Sequence, residues 1–367
     1  MIEQVIAKAS EMRASDIHIV CGIPVRFRVD GELQNMDEHI TTAAECEQYA
    51  AEFGKEVLEI TKNVGEADLA ATIYDRRLRV NIFRQQEKFS LCIRLLNDKI
   101  PNLEDLNLPA VVSTFPEYRN GLILVTGETG SGKSTTLAAL LNRINTTASK
   151  HIITLEDPIE YVYKPDKCVI NQREVGKDTR TFATGLRAAL REDPNVVLVG
   201  EMRDFETIET ALTAAETGHL VFGTIHTNSA SDAVDRIVDV FPEERQRQIR
   251  LQLSMSLKAV LSQQLLKKKG GGRVAACEIM IVDHAISNLI REAKTPQIHN
   301  ALATSAALGS ITMENAVAEL LREGVISQEV ADKAVGSPSM NDIPVSAGMG
   351  GNMGCMSFEE RPIRPRI

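Results

Sequence analysis

Hydrophobic and polar residues alternate along several stretches of the first hundred residues. Residues 25–29 have a period of two and are followed by Asp30-Gly31, a pair typical of tight turns. Residues 78–84 and 89–96 alternate in the same way, which gives each stretch one polar face. These patterns predict a small α/β domain over residues 1–105, built on a mostly antiparallel sheet.

The pattern changes beyond a segment that contains three prolines, Pro101, Pro109 and Pro116, and few periodic positions. We predict the interdomain linker in this segment, at residues 106–118. Farther along, apolar runs rich in β-branched residues alternate with helical segments; the runs are residues 122–126, 152–155, 196–199 and 220–223. Such runs are typical of a parallel sheet covered by helices on both faces, so we expect a second α/β domain over residues 119–336.

Composition agrees with two folded domains followed by a tail. A chain of 367 residues exceeds what one hydrophobic core usually organises. Hydrophobic residues make up 43% and charged residues 25%, as in ordinary folded proteins. Residues 337–367 are dominated by Gly, Pro, Met and Ser, so we expect them to be disordered.

Charge and apolar run length limit where the protein acts. The formal charge of −9 argues against nucleic acid as the main partner, because that binding depends on basic side chains. The sequence shows neither the roughly 18 to 20 consecutive apolar residues that span a bilayer nor a signal-peptide core in residues 1–15. We therefore expect a cytoplasmic protein.

Its six cysteines are scattered without a C-x-x-C pair, which favours reduced thiols over a zinc site.

Residues 127–134, G-E-T-G-S-G-K-S, match the phosphate-binding loop G-x-x-x-x-G-K-[ST]. The loop follows a predicted strand at 121–126 and precedes a predicted helix at 135–145, the context that the motif requires. Its backbone N–H groups bind phosphate, Lys133 reaches the β and γ phosphates, and Ser134 is a ligand of Mg²⁺. The predicted nucleotide-binding residues are Thr129, Gly130, Ser131, Gly132, Lys133, Ser134 and Thr135. The motif therefore predicts a site for ATP and Mg²⁺.

Acidic residues follow two of the predicted strands. The segment E-D-P-I-E at 156–160 places carboxylates at the carboxyl edge of the sheet, where ligands bind in such folds. Glu160 or Glu156 can orient or deprotonate a water molecule beside the γ phosphate. The run at 196–199 is followed by Gly200 and Glu201, the layout of a Walker B element. Glu201 is therefore expected to hold Mg²⁺ through water, and the Walker B layout also nominates it as the base.

Two histidines flank the run that starts at Leu220. His219 precedes the run, and His226 lies just past its predicted carboxyl end, where it is placed to sense phosphate. Because histidines in such positions are often structural, both roles stay open for each of them.

Four segments, in order, resemble the Walker A, Asp box, Walker B and His box of the secretion ATPases, a superfamily of P-loop NTPases; they are residues 127–134, 156–160, 200–204 and 215–227. Residues 14–19 and 26–31 are also similar to that superfamily. The resemblance implies a RecA-like ATPase core with a smaller, amino-terminal PAS-like α/β domain. It also favours Glu160 as the catalytic base and implies that His219 and His226 belong to the His box.

Residues 285–292, A-I-S-N-L-I-R-E, resemble the signature A-I-R-N-L-I-R-E of type IV pilus retraction ATPases. Ser287 stands where the signature has its first arginine, and the apolar positions keep the i, i+3, i+4 spacing of a short helix. The resemblance implies that Leu289, Ile290 and Arg291 couple hydrolysis to movement. The same stripe is equally typical of a helix that packs inside its own domain.

The resemblance further implies a homo-hexamer that retracts type IV pili and supports twitching motility. ATP would lie between the two domains, approached by arginines of a neighbouring small domain; the candidates are Arg77, Arg79, Arg84 and Arg94. The implied partner is a pilus platform protein at the cytoplasmic face of the inner membrane, and not nucleic acid.

Three other functions remain open. Pilus extension and type II secretion ATPases share the four boxes, but they usually carry an extra amino-terminal domain and a four-cysteine zinc motif that this sequence does not show. A nucleotide-dependent switch would bind ATP without turnover, and the acidic segments argue against it. A DNA-translocating ring would share the P-loop, and the acidic net charge argues against that function.

Overall fold

The computed structural model describes residues 1–29, 31–74, 76–96 and 99–336. The predicted tail at 337–367 lies outside the described residues, as does Asp30 of the predicted turn. The described chain forms two units, a small domain (residues 1–96) and a core (residues 99–336).

The small domain combines helices with an antiparallel sheet. Its elements are α1 (Ile2–Glu11), β1 (Asp16–Val20), β2 (Pro24–Val29), β3 (Glu32–Ile40), α2 (Ala43–Ala51), α3 (Lys55–Val64), β4 (Glu66–Ile73), β5 (Arg76–Gln85) and β6 (Lys88–Leu95). Within the described residues the sheet has six strands in the order β3-β2-β1-β6-β5-β4, and all neighbouring pairs are antiparallel. The predicted antiparallel sheet is therefore confirmed.

Hydrophobic and polar residues alternate along the strands of this sheet, and helices cover the hydrophobic face. Ile17, Phe27 and Val80 point to one face and are fully buried with the apolar sides of α1 and α2. Helix α1 forms at this face because its apolar residues recur every three or four positions, and α2 begins with a capping box. The opposite face carries alternate polar residues, among them Arg77 and Arg79 of β5.

The core contains the sheet that the apolar runs predict. Its elements are β7 (Gly121–Thr126), α4 (Lys133–Thr147), β8 (His151–Glu156), β9 (Val169–Glu174), α5 (Phe182–Ala189), β10 (Val196–Val199), α6 (Phe205–Glu216), β11 (Leu220–Ile225), α7 (Ala230–Asp239), α8 (Glu243–Ser256), β12 (Leu257–Lys267), β13 (Arg273–Ile281), α9 (His284–Arg291), α10 (Ile298–Thr304), α11 (Met313–Arg322) and α12 (Gln328–Ala334). Across the described residues the strand order is β13-β12-β7-β11-β10-β8-β9, and β13 alone runs antiparallel to its neighbour.

Helices cover both faces of the core sheet, because successive residues of a buried strand point to opposite sides. Leu122 and Leu124 of β7 belong to the apolar cluster formed with α6, α7, α8 and α9. Ile123 and Val125 of the same strand belong to the cluster formed with α4. The predicted α/β class of the second domain is therefore confirmed.

The segment between the domains is packed rather than extended. Short 3-10 turns at Leu103–Leu106 and Ala110–Glu117 lie against α4, and Phe115 is fully buried with Ile123 and Leu140. Most of the predicted linker, residues 106–118, is therefore docked on the core. Its apolar residues have no helical or strand period, which is why the sequence pattern resembled a plain connector.

Among the residues that the structure describes, no helix has both the length and the apolar character needed to cross a bilayer.

Candidate active site

The carboxyl ends of β7, β11, β10 and β8 lie next to one another, because these strands are parallel neighbours. The P-loop follows β7, His226 follows β11, Glu201 follows β10, and the acidic segment at 156–160 includes the end of β8 and the residues after it. The fold therefore brings these four sequence segments to one edge of the sheet, where open α/β sheets bind ligands.

The P-loop is folded tightly against β12. Gly127 has φ 138°, and a Cβ atom at this position would lie 2.3 Å from the carbonyl oxygen of Gln263. Gln263 is itself buried and accepts a hydrogen bond of 3.0 Å from Thr136 Oγ1 of α4. Glycine is required at position 127 for both the dihedral angle and the close approach. Gln263 is not among the residues predicted from the sequence, although a glutamine within an apolar strand is a signal that could have shown it.

Lys133, the first residue of α4, is buried with its ammonium group on the loop. Its Nζ donates to the carbonyl oxygens of Gly127 and Glu128, both at 2.8 Å. Burial lowers the pKa of Lys133, and the nearby carboxylates of Glu201 and Glu160 oppose that shift. The structure thus places the predicted cation within electrostatic reach of both predicted catalytic glutamates.

The other predicted nucleotide-binding residues differ in exposure. Thr129, Gly130 and Ser134 are exposed and open to a ligand. Ser131 is buried, and its Oγ has no hydrogen-bond partner among the described residues. Gly132 is the N-cap of α4. Thr135 Oγ1 lies 2.9 Å from the hydroxyl of Tyr161, which ties the helix to the acidic segment.

Glu156 and Glu160, which the sequence offers as alternatives, have different surroundings in the structure. Glu156 accepts hydrogen bonds from Thr154 Oγ1 at 2.6 Å, from Gln172 Nε2 at 3.1 Å and from the backbone N–H of Glu160. Burial raises the pKa of Glu156. Glu156 therefore fixes the backbone at Glu160, and the partly exposed side chain of Glu160 remains available to a water molecule.

Glu201 lies two residues past the end of β10, and two side chains contact its carboxylate. His226 Nε2 lies 3.0 Å from its Oε1, and Arg203 pairs with the same oxygen. Thr224 Oγ1 donates to the carbonyl oxygen of Gly200, which holds the end of β11 against the end of β10. The His box residue His226 and the Walker B residue Glu201 are thus in direct contact.

His219 lies away from this site. It precedes β11 at the opposite edge of the sheet, where its carbonyl oxygen accepts the N–H of Gly121 and its Nδ1 lies 3.0 Å from the carbonyl oxygen of Ala214. The intervening strand has six residues, Leu220–Ile225, or about 20 Å. In this chain His219 lies at the end of α6, and the structure does not bring it to the nucleotide edge.

The four candidate arginines have different surroundings. Arg94 Nε donates to Asp16 of its own domain at 2.9 Å, and Arg84 Nη2 donates to a backbone oxygen in the turn after β5 at 3.1 Å. Arg79 is exposed beside Arg94 on the sheet. Arg77 instead reaches the core of its own chain, where it contacts Glu174 and the backbone of Ile159. Glu174 is not among the residues predicted from the sequence, since its pair with Arg77 joins residues 97 positions apart.

Helix α9, which contains most of the retraction-like signature, packs against α8. Ile286 and Ile290 are fully buried in the core of their own domain, Leu289 is partly buried, and Arg291 is exposed. Ser287 Oγ donates to the backbone oxygen of Ser254 in α8 at 2.6 Å. The serine that stands in place of the signature's first arginine thus links α9 to α8. Coupling of hydrolysis to movement stays a prediction for Leu289, Ile290 and Arg291, and any contribution of the enclosed Ile290 would pass through the packing of α9 in its own domain.

We expect Ile290→Ala and Leu289→Ala to differ in the free energy of unfolding. Truncation of the fully buried Ile290 should cost about 2–5 kcal/mol, because it leaves a cavity, whereas truncation of the partly exposed Leu289 should cost less. Urea unfolding of both variants measures the difference. Equal losses would contradict the assignment of Ile290 to the core and Leu289 to its margin.

Comparisons with known proteins show which family and which proteins this chain is similar to. Residues 1–336 match the family model described as type II/IV secretion system protein. The chain is 46% identical over 335 residues to the type IV pilus retraction ATPase PilT of Pseudomonas aeruginosa, which covers 90% of this chain and 96% of that protein. It is 52% identical over 267 residues to a twitching motility protein of Neisseria gonorrhoeae, covering 72% of this chain and 71% of that protein. The crystal structure of the pilus retraction motor PilT with bound ADP matches with a TM-score of 0.85 at 45% identity, covering 93% of this chain and 98% of that one.

Proposed function

This chain belongs to the type II/IV secretion system protein family, and on that basis we propose that it is the ATPase that drives retraction of type IV pili. The site at the carboxyl edge of the core sheet is where it hydrolyses ATP. The observation that carries the proposal is its similarity to a retraction ATPase over 90% of the chain. The convergence of Lys133, Glu201 and Glu160 at this edge supports the same reaction.

The arrangement supports in-line attack of water on the γ phosphorus of ATP. Lys133 stabilises the charge that develops on the β and γ phosphates. Glu160 accepts the proton of the attacking water as the bond from the γ phosphorus to the β-γ bridging oxygen breaks and ADP leaves. Glu160 suits this role because its side chain is accessible, whereas Glu156 and Glu201 are held by other partners. His226, in contact with Glu201, can report the γ phosphate to the end of β11.

A cavity of about 310 Å³ beside the P-loop suits the nucleoside part of ATP. Its walls come from the segment after the small domain, from the start of α4 and from β12 and β13; they include Leu106, Gly132, Thr135, Leu265 and Arg273. Gly132 and Thr135 belong to the P-loop and to α4, so a base and ribose in this cavity would lie next to the phosphate-binding loop. The docked linker thus forms part of the nucleotide site.

Mg²⁺ fits the donor atoms present at the site. The exposed hydroxyl of Ser134 and the carboxylate of Glu201 are oxygen ligands of the type that Mg²⁺ prefers. The described residues bring together no group of three or more His, Cys, Asp or Glu side chains that could hold a metal ion. We propose that Ser134 and Glu201 would hold a Mg²⁺ ion that accompanies the nucleotide, and the ion would there neutralise phosphate charge.

We propose that the ATPase works as a homo-hexamer at the cytoplasmic face of the inner membrane, engaging a platform protein of the pilus. Arg79 and Arg94, which are exposed side by side on the sheet face of the small domain, are our candidates to approach a neighbour's nucleotide. The alternative, that both are solvated charges, is tested by Arg79→Ala in a phosphate-release assay across protein concentration, since an inter-subunit role depends on assembly.

The cellular test is deletion of the gene followed by observation of single pili. We expect pili to form and to stop shortening, and the parent gene, but not the Lys133→Ala form, to restore shortening. Loss of pilus growth with retraction intact would instead support the pilus extension function. Absence of phosphate release by the purified parent protein with Mg²⁺ would support a nucleotide-dependent switch.

A further inference from the structure

Glu174 lies where the small domain meets the loop that carries Glu160. It ends the edge strand β9, and its side chain is only 7% exposed. Its Oε2 accepts a hydrogen bond of 2.7 Å from Arg77 Nη2 and one of 3.3 Å from the backbone N–H of Ile159. Arg77 Nε donates to the carbonyl oxygen of Ile159 at 3.0 Å. Arg77, Glu174 and the backbone of Ile159 thus form a closed triangle, which we call the clasp.

A second cation strengthens the link between the clasp and the small domain. Lys177 Nζ lies 2.5 Å from Glu174 Oε1 and donates to the carbonyl oxygen of Ala70 in β4 at 3.1 Å. Arg77 belongs to the neighbouring strand β5. One buried carboxylate of the core is therefore joined to two adjacent strands of the small domain.

The clasp holds the peptide groups on both sides of Ile159, the residue directly before Glu160. Both hydrogen-bonding groups of Ile159 are engaged, the N–H by Glu174 and the C=O by Arg77. Charge-assisted hydrogen bonds of this kind are stronger than neutral ones and fix geometry. A base must lie within hydrogen-bonding distance of the water it deprotonates, and a shift of about 1 Å can lower a rate by about 100-fold.

We propose that Glu174 is a positioning residue through which the small domain, by way of Arg77, sets the position of Glu160 for hydrolysis. The inference rests on the proposed role of Glu160 as the catalytic base. When the small domain moves relative to the core, the clasp transmits that movement to the backbone before Glu160. Hydrolysis then depends on the arrangement of the two domains, although neither Glu174 nor Ile159 needs to touch the nucleotide.

The test measures kcat and KM for ATP by phosphate release from the full-length protein with Mg²⁺. Glu174→Gln removes the charge that pairs with Arg77 and keeps an oxygen for one donor. We expect kcat to fall about 10- to 100-fold while KM for ATP and the binding of a fluorescent ADP analogue stay within about twofold. Arg77→Lys keeps the positive charge but loses the fork that contacts both partners, so we expect the same pattern.

A neighbouring ion pair provides the matched control. Arg173, next to Glu174 on β9, pairs with Glu192 at 3.0 Å, and Ile159 takes no part in this pair. Glu192→Gln should leave kcat and KM unchanged. The melting temperature and oligomer size of every variant are measured in parallel, so that a loss of kcat at unchanged values of both reports positioning rather than folding.

The double variant Arg77→Lys with Glu174→Gln tests whether Arg77 acts through Glu174 or acts on the nucleotide independently of it. If the two residues act together, the double variant is no slower than the slower single variant. If their effects multiply, or if Glu174→Gln keeps kcat within twofold of the parent, the inference is overturned. Glu160→Gln is measured in the same series. Full activity of Glu160→Gln would refute the assigned base, which is a different result from full activity of Glu174→Gln.

Discussion

Replacement of Lys133 by alanine will abolish ATP hydrolysis. The ammonium group lies on the P-loop, within 2.8 Å of the carbonyl oxygens of Gly127 and Glu128, and it is buried. Its removal takes away the positive charge that the β and γ phosphates need most in the transition state. We expect kcat to fall by about 100- to 1000-fold or more, to the limit of a phosphate-release assay.

Lys164→Ala is the matched control for this prediction, because it removes an exposed lysine of the same domain. Its activity should equal that of the parent protein. Burial leaves the charge of Lys133 poorly solvated, which lowers its pKa. Removal of that charge should therefore cost little free energy of unfolding, so Lys133→Ala should fold. Near-normal phosphate release by a folded Lys133→Ala protein would show that hydrolysis takes place elsewhere.

Replacement of Glu160 by glutamine will leave nucleotide binding intact and remove turnover. Glutamine can still donate and accept hydrogen bonds, but it cannot accept the proton of the attacking water. The backbone N–H of residue 160 will still reach Glu156, so the loop should keep its path. We expect kcat to fall by about 100- to 10,000-fold with little change in the affinity for ADP.

Two further variants make this result specific. Asp166→Asn removes an exposed carboxylate from the same segment between β8 and β9 and should remain active. Glu201→Gln is expected to raise the Mg²⁺ concentration needed for half-maximal activity, because Glu201 is assigned to the metal. If Glu201→Gln alone bound nucleotide without turnover, the roles of the two glutamates would be the reverse of those proposed.

Local sequence signals predict the parts of the site that are contiguous in the chain. The P-loop and the run at 196–199 have continuous apolar residues before a glycine and a functional side chain, so their strands and their sheet edge follow from composition and spacing. The structure places Lys133 and Glu201 at the same edge for that reason. The order of the strands, which puts β10 next to β11 and so Glu201 next to His226, does not follow from these local signals.

Contacts between distant segments are not encoded in any local pattern. Arg77 and Glu174 pair across 97 positions, and each resembles an ordinary charged residue at the end or on the polar face of a strand. The period of α9 likewise predicts an apolar stripe but not the surface that the stripe covers. Only the fold shows that Ile290 is enclosed by its own domain.

The docked linker also sets a tether length for the motor. The small domain ends with β6 at Leu95, Leu96 is still hydrogen-bonded to Arg77, and Ile100 is already packed against the core. Ile100 lies four residues after Leu96, and four residues span at most about 14 Å when fully extended. While both anchors hold, a movement of one domain against the other can draw these two points of one subunit no farther apart than this, so any longer travel of the pilus must be the sum of several strokes.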